Sequence, residues 1–240
     1  MSANSSSSRF VFIDYWRFLA IISMILYHLF FDLVYFGFVN LDLSEFPFSL
    51  LQLFSGVSFV FISGITLNLS KTQQKIDFNR FFLLLVVALL ISISTWFFSN
   101  ASFIKFGVIH LLACATLLNP FISKLSNFQK FVFSILVILL GVYFGSLSTE
   151  FDFLFFINLT SNSYSSFDHY PLFPWLGVFC LGSLFATSPL CSFLVASTTS
   201  LNQNPLVEKI SRNSLIIYLI HQPLLLSLLF FYFYLIRIIF

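Results

Sequence analysis

FVFIDYWRFLAIISMILYHLFFDLVYF (residues 10–36) is an apolar run of bilayer length that carries four charged or chargeable side chains, Asp14, Arg17, His28 and Asp32. On a helix turning 100° per residue, with Asp14 at 0°, Arg17 falls at about 300°, His28 at about 320° and Asp32 back at about 0°. All four lie within an arc of roughly 60°. A charge at the bilayer centre costs about 2.5–3.5 kcal/mol on insertion scales, so the stripe must face a water-filled or protein-lined cavity. It is the leading candidate for the working site.

Composition extends this reading to the whole chain. Of 240 residues, 59% are hydrophobic and 8% are charged, and mean hydropathy is +0.98. A soluble domain is about one quarter charged. The fold class is therefore all-α, a polytopic transmembrane helical bundle. Further apolar runs at 47–69, 80–98, 105–122, 128–147, 171–187 and 212–236 bring the spans to about seven. Two shorter apolar pieces, 151–159 and 189–197, are candidates for interfacial or re-entrant segments and would raise the number to eight or nine. Residues 1–9 read as a disordered polar tail on the cytoplasmic side, and 10–240 as a single integral-membrane domain. The first run is too long and too charged for a cleaved signal and is read as a retained span. The 37 phenylalanines are bulk for packing and for the lipid face.

The Lys/Arg bias sets direction. With the N-terminus inside, nine of the eleven basic residues (Arg9, Arg17, Lys71, Lys75, Arg80, Lys124, Lys130, Lys209 and Arg212) are inner, and Lys105 and Arg237 are outer. This orientation puts Arg17 near the cytoplasm and His28 about 16 Å farther out along the same helix. A net charge of +2 points to no nucleic-acid partner. Cys114, Cys180 and Cys191 have no metal-like spacing, and no metal is expected. No internal repeat, Walker motif, Gly-rich dinucleotide fingerprint or HExxH is present.

Other polar side chains join the first stripe. His110 begins the fourth run, Asp168 and His169 sit just before the sixth, and His221 lies midway along the seventh. On that last run Ser211, Ser214, Tyr218, His221 and Gln222 share a stripe of their own. The second run offers Gln52, Ser55, Gly56, Ser63 and Thr66 on one side, with Gly56 and Gly64 as close-packing positions. His28 suits proton transfer near neutral pH. Asp32, one turn on, is placed to orient its imidazole or to stabilise the charged form. Arg17, with Asp14 beside it, is built to hold phosphate, although the pair would also serve as a snorkelled ion pair at the interface. Phosphate at one end and a proton-transfer group farther out match the shape of an acyl-coenzyme A.

Four segments carry a resemblance. IDYWRFLAIISMILYH (13–28) resembles the opening motif of the transmembrane acyltransferase superfamily, with Arg17 and His28 in its R-x10-H spacing. FGVIH (106–110), FDHYPLFPWLGVFCLG (167–182) and NSLIIYLIHQP (213–223) are similar to the bacterial branch related to the catalytic domain of heparan-alpha-glucosaminide N-acetyltransferase. The resemblance implies acyl transfer, often of acetyl, from cytoplasmic acyl-CoA to an acceptor on the outer face. It assigns Arg17 to the donor and His28 to catalysis, and marks Asp168, Pro171 and His221 as family positions. Phe18 departs from the Gly that commonly follows the first-span Arg. His110, Asp168, His169 and His221 are then expected on the acceptor side, and Asp32 with His28 at the catalytic centre. The expected partners are acyl-CoA, a carbohydrate or amino-sugar acceptor and the lipid bilayer of the cell membrane, with a homodimer as one arrangement. His28 acts as general base or as a transient acyl carrier. The competing class is a proton-coupled small-molecule transporter, in which the same stripe would relay protons.

Overall fold

The computed structural model describes residues 10–70, 75–198 and 204–239, with side chains to Leu235. The tail 1–9, including Arg9, and Lys71 lie outside the described residues. Nine α-helices are present among the described residues: α1 (Val11–Tyr35), α2 (Phe48–Asn68), α3 (Phe78–Phe98), α4 (Val108–Lys124), α5 (Asn127–Gly145), α6 (Leu172–Phe185), α7 (Pro189–Thr198), α8 (Pro205–Arg212) and α9 (Ser214–Ile239). A 3-10 turn spans Phe155–Ile157, and the pairings Phe106 with His169 and Ser148 with Thr160 are isolated bridges.

Each of the seven apolar runs holds a helix. Five of them, α1, α2, α3, α5 and α9, are long and apolar enough to cross a membrane. Taking the bent pair α6 and α7 as one span makes six, and α4 is a shorter apolar helix of 17 residues. The short pieces resolve as the 3-10 turn and α7. The seventh run, read from 212, becomes α9 from Ser214; α8 precedes it and stops at Arg212, and Asn213 (φ −99°, ψ 20°) separates the two helices. Large apolar side chains such as Leu89, Phe97 and Phe128 point outward, whereas Asp14, Asp32, Asn68, Asn119 and Ser183 are buried. That inversion of the soluble pattern suits a lipid surround, where polar groups must find partners inside the protein.

The chain divides into two compact units. In the first, residues up to Phe59 and from Phe193 onward, α1 packs on α8 and α9. Trp16 Nε1 donates to Ser58 Oγ at 2.9 Å, and the Phe30 and Phe48 rings meet edge-on at 4.8 Å. Helix α1 ends in a left-handed residue, Gly37 (φ 73°). The Phe38 amide returns to the Leu33 carbonyl and the Gly37 amide to the Val34 carbonyl, which satisfies the last carbonyls of the helix. Helix α8 opens with Pro205, and Asn204 Oδ1 accepts from the Leu206 amide.

In the second unit, Val60–Ser192, α3 pairs with α4 and α5 with α6. Asp77 caps α3, and Ser126 and Gln129 cap α5 reciprocally. Gly64 lies against the Phe179 carbonyl and Gly182 against the Phe61 carbonyl, so α2 and α6 approach backbone to backbone. Asn68 Nδ2 donates to Ser183 Oγ at 2.9 Å in the same seam. A methyl group at either glycine would strike backbone that cannot swing aside. We expect Gly64→Ala and Gly182→Ala each to destabilise the protein by about 1–3 kcal/mol. The reading is the thermal midpoint in detergent, and an unchanged midpoint would count against the close approach.

Candidate functional site

The charged stripe of α1 is met by the C-terminal helices at two levels. At the first, Asp14 is 3% exposed and Ser211 of α8 is 1% exposed. Ser211 Oγ donates to Asp14 Oδ1 at 2.6 Å and accepts from Arg17 Nη1 at 3.1 Å. One hydroxyl therefore uses both its donor and its acceptor capacity to link the acid to the base.

At the second level, Asp32 is 2% exposed and His221 of α9 is 6% exposed. Gln222 Nε2 donates to Asp32 Oδ1 at 2.6 Å. The His28 and His221 rings stand 4.8 Å apart, centroid to centroid, at 84°. His28 Nδ1 is 2.8 Å from the Met24 carbonyl oxygen, and His221 Nδ1 is 2.7 Å from that of Tyr218. A carbonyl only accepts, so each Nδ1 carries a hydrogen. In the neutral rings, both Nε2 atoms are then lone-pair bases. Among the described residues, His221 Nε2, Asp32 Oδ2 and Gln222 Oε1 are buried without a hydrogen-bond partner. All three are acceptors, because the Gln222 amide is oriented by its donation to a carboxylate. Buried acceptors without donors are costly, which makes this cluster a place for a donor-bearing ligand.

His110, Asp168 and His169 belong to the second unit. Asp168 Oδ2 accepts from the Val108 amide at 3.0 Å, at the positive N-terminus of α4. Gly107 precedes it, and a β-carbon there would strike the Asp168 carboxylate. His110 Nδ1 accepts from the Gly107 amide at 3.2 Å. Its neutral ring therefore carries hydrogen on Nε2, 3.2 Å from Ser92 Oγ, which itself donates to the Ile104 carbonyl at 2.6 Å. The Phe167 and Tyr170 amides bond to the Ser102 and Phe106 carbonyls, so the loop before α6 is stitched to the loop before α4. Pro171 N-caps α6.

In that loop His169 Nδ1 is 3.2 Å from the Tyr164 hydroxyl, and Lys105 Nζ sits 4.5 Å over the Tyr164 ring. Burial pushes His169 down to about 4, with the nearby Lys105 charge adding to the effect. Burial also pushes Tyr164 up to about 12, so its phenol stays protonated. Tyr164, Lys105 and Ser92 carry no motif. Their sequence signal is limited to a Tyr five residues before a His in a polar loop. Among the described residues no group of three or more His, Cys, Asp or Glu is arranged to hold a metal.

A multi-pass helical membrane protein with a buried histidine and buried carboxylates on apolar helices is the class these observations define. The chain belongs to the family described as heparan-alpha-glucosaminide N-acetyltransferase, catalytic, which it matches over residues 9–223. Membership makes it an acyltransferase in general terms. Comparison with curated proteins and with solved structures gives no match. The matched span includes Arg17, His28, His110, Asp168 and His221.

The His169 loop gives a pH prediction. Its folded value, about 4, lies below the ordinary 6.5, so folding favours the neutral ring. The resulting stability is complete above about 6.5 and is lost as pH falls toward about 4. We expect the thermal midpoint to fall across that interval, and to fall less in His169→Gln. Equal declines in the two proteins would reject the assignment.

Proposed function

We propose that this protein moves an acyl group, chiefly acetyl, from cytoplasmic acyl-CoA to a hydroxyl or amine of a glycan-type acceptor on the outer face of the cell membrane. The reading treats residues 10–240 as one integral-membrane catalytic domain with about seven spans and the N-terminus inside. The observation that carries it is the content of α1: Arg17 and His28 lie on one face of a single helix, about 16 Å apart, and each is met by a polar residue of the C-terminal helices.

Arg17 holds donor phosphate. Its guanidinium fork suits that group, and the Ser211 and Asp14 network fixes its approach. His28 Nε2 takes the proton of the acceptor O–H or N–H as the acceptor atom attacks the thioester carbonyl. The C–S bond breaks, and the departing thiolate recovers a proton to leave as CoA. Met24 sets the ring's orientation, which leaves Asp32 the second of its two roles, stabilising the imidazolium electrostatically. Asp168 and His110 order the loop before α4.

Purified protein in proteoliposomes, given radiolabelled acetyl-CoA and amine- and hydroxyl-bearing sugar probes, tests this. His28→Ala should lower transfer by about 10²–10⁴-fold, the usual worth of a general base. Arg17→Ala should raise the KM for acetyl-CoA by about tenfold or more, matching a lost charge-assisted hydrogen bond. Full transfer by His28→Ala would refute the catalytic assignment. Uptake of a solute driven by a pH gradient, without any acyl transfer, would instead establish the transporter.

A further inference from the structure

We propose that His28 and His221 work as one proton-sharing pair, in which His221 is a positioning residue that receives the protonated His28 and the Gln222–Asp32 hydrogen bond fixes the pair in place. The inference rests on the acyltransferase reading and goes beyond it by giving the α9 histidine a defined part in the same site.

Three observations lead there. The rings are 4.8 Å apart and nearly perpendicular, close enough for the charge state of one to govern the other. Both are locked with hydrogen on Nδ1 by carbonyls of their own helices, Met24 and Tyr218, so the pair presents two basic nitrogens and no Nε2 donor. His221 Nε2 is buried without a partner among the described residues, beside Asp32 Oδ2 and Gln222 Oε1 in the same condition. A proton brought to this level therefore meets buried acceptors that have no donor of their own. Two protons would place like charges within one ring's width.

The step balances. The acceptor X–H bond breaks and His28 gains hydrogen on Nε2, while the C–X bond forms and the C–S bond breaks. The His221 Nε2 lone pair supports the new N–H, and Asp32 supplies the compensating negative charge. The proton then passes to the thiolate, and both rings return to neutral. Among the described residues of this unit, Tyr27 stands against His28, Tyr218 against His221, and Asp32 lies one turn from His28 on α1. The α2 segment Phe48–Phe59 contributes none, and the charged Glu208, Lys209 and Arg212 of α8 adjoin Ser211 at the Arg17 level.

The test uses full-length protein in lipid nanodiscs with ¹⁵N-labelled histidine, signals being assigned from His28→Gln and His221→Gln. In the wild type both rings should show hydrogen on Nδ1, and both should respond to the same titration steps, as coupled sites do. In His221→Gln the His28 ring should follow a simple one-proton curve. Independent wild-type curves, or a neutral form of either ring with its hydrogen on Nε2, overturn the proposal even if the variant fails to fold. With acetyl-CoA and the sugar probes, His221→Gln should lower kcat by about tenfold or more. The KM for acetyl-CoA should stay within about twofold, because a change in chemistry without a change in donor binding leaves KM alone. An unchanged kcat also overturns the proposal. A wild type that transfers no acetyl to any probe counts against the acyltransferase reading, whereas the titration judges the pair by itself.

Discussion

The structure depends on how α1 finds partners for its ionisable side chains. A helix of Phe, Ile, Leu and Val that also carries Asp14, Arg17, His28 and Asp32 is unfavourable in lipid unless other helices answer each polar group. The answer comes from the far end of the chain. Ser211 joins Asp14 to Arg17, Gln222 bonds Asp32, and His221 lies edge-on to His28. The sequence separations of these contacts exceed 180 residues. Packing the first span against the last two helices is thus the same event as assembling the site. Substitutions that weaken this closure should affect stability and chemistry together.

Much of this was legible in the sequence because helical period is a strong signal. The four α1 residues fall on one face by arithmetic alone, and Asp14 and Asp32 are buried there with Ile21 and Met24. His221 and Gln222 lie together on α9 as the last stripe predicts, whereas Ser211, predicted on that same stripe, lies on α8 across the break at Asn213. The seven apolar runs all hold helices. What periodicity does not contain is the identity of the neighbour. That Ser211 meets Asp14, or that Gln222 meets Asp32, depends on which helices pack together and at what height. The break at Asn213 falls at the very start of the seventh apolar run, where no glycine or proline marks it and only the backbone angle turns.

The loop residues were less legible. Asp168 and His169 are adjacent in sequence, yet they do different work. Asp168 caps α4 through the Val108 amide, while His169 is buried against Tyr164. Gly107 reads as one glycine of a short motif until its contact is known: a side chain there would occupy the space of the Asp168 carboxylate. The Asp168 pairings join segments about 60 residues apart through loops that have no period to read.

The backbone, more than any neighbouring acid, decides which histidines can act as bases. His28 and His221 sit inside helices, where Nδ1 reaches back to a carbonyl of the preceding turn and must donate. Their Nε2 atoms are left as lone pairs. His110 sits at the start of a helix, where the exposed group is an amide rather than a carbonyl, and its Nδ1 must accept. Its Nε2 then carries the hydrogen toward Ser92 and is no base in the neutral state. One side chain type therefore has opposite proton chemistry at the two kinds of helix position. By that rule the basic nitrogens on the α1 stripe and its partner helix are a consequence of where along the helices the histidines fall, and moving His28 to the first turn would remove its basicity without altering the residue.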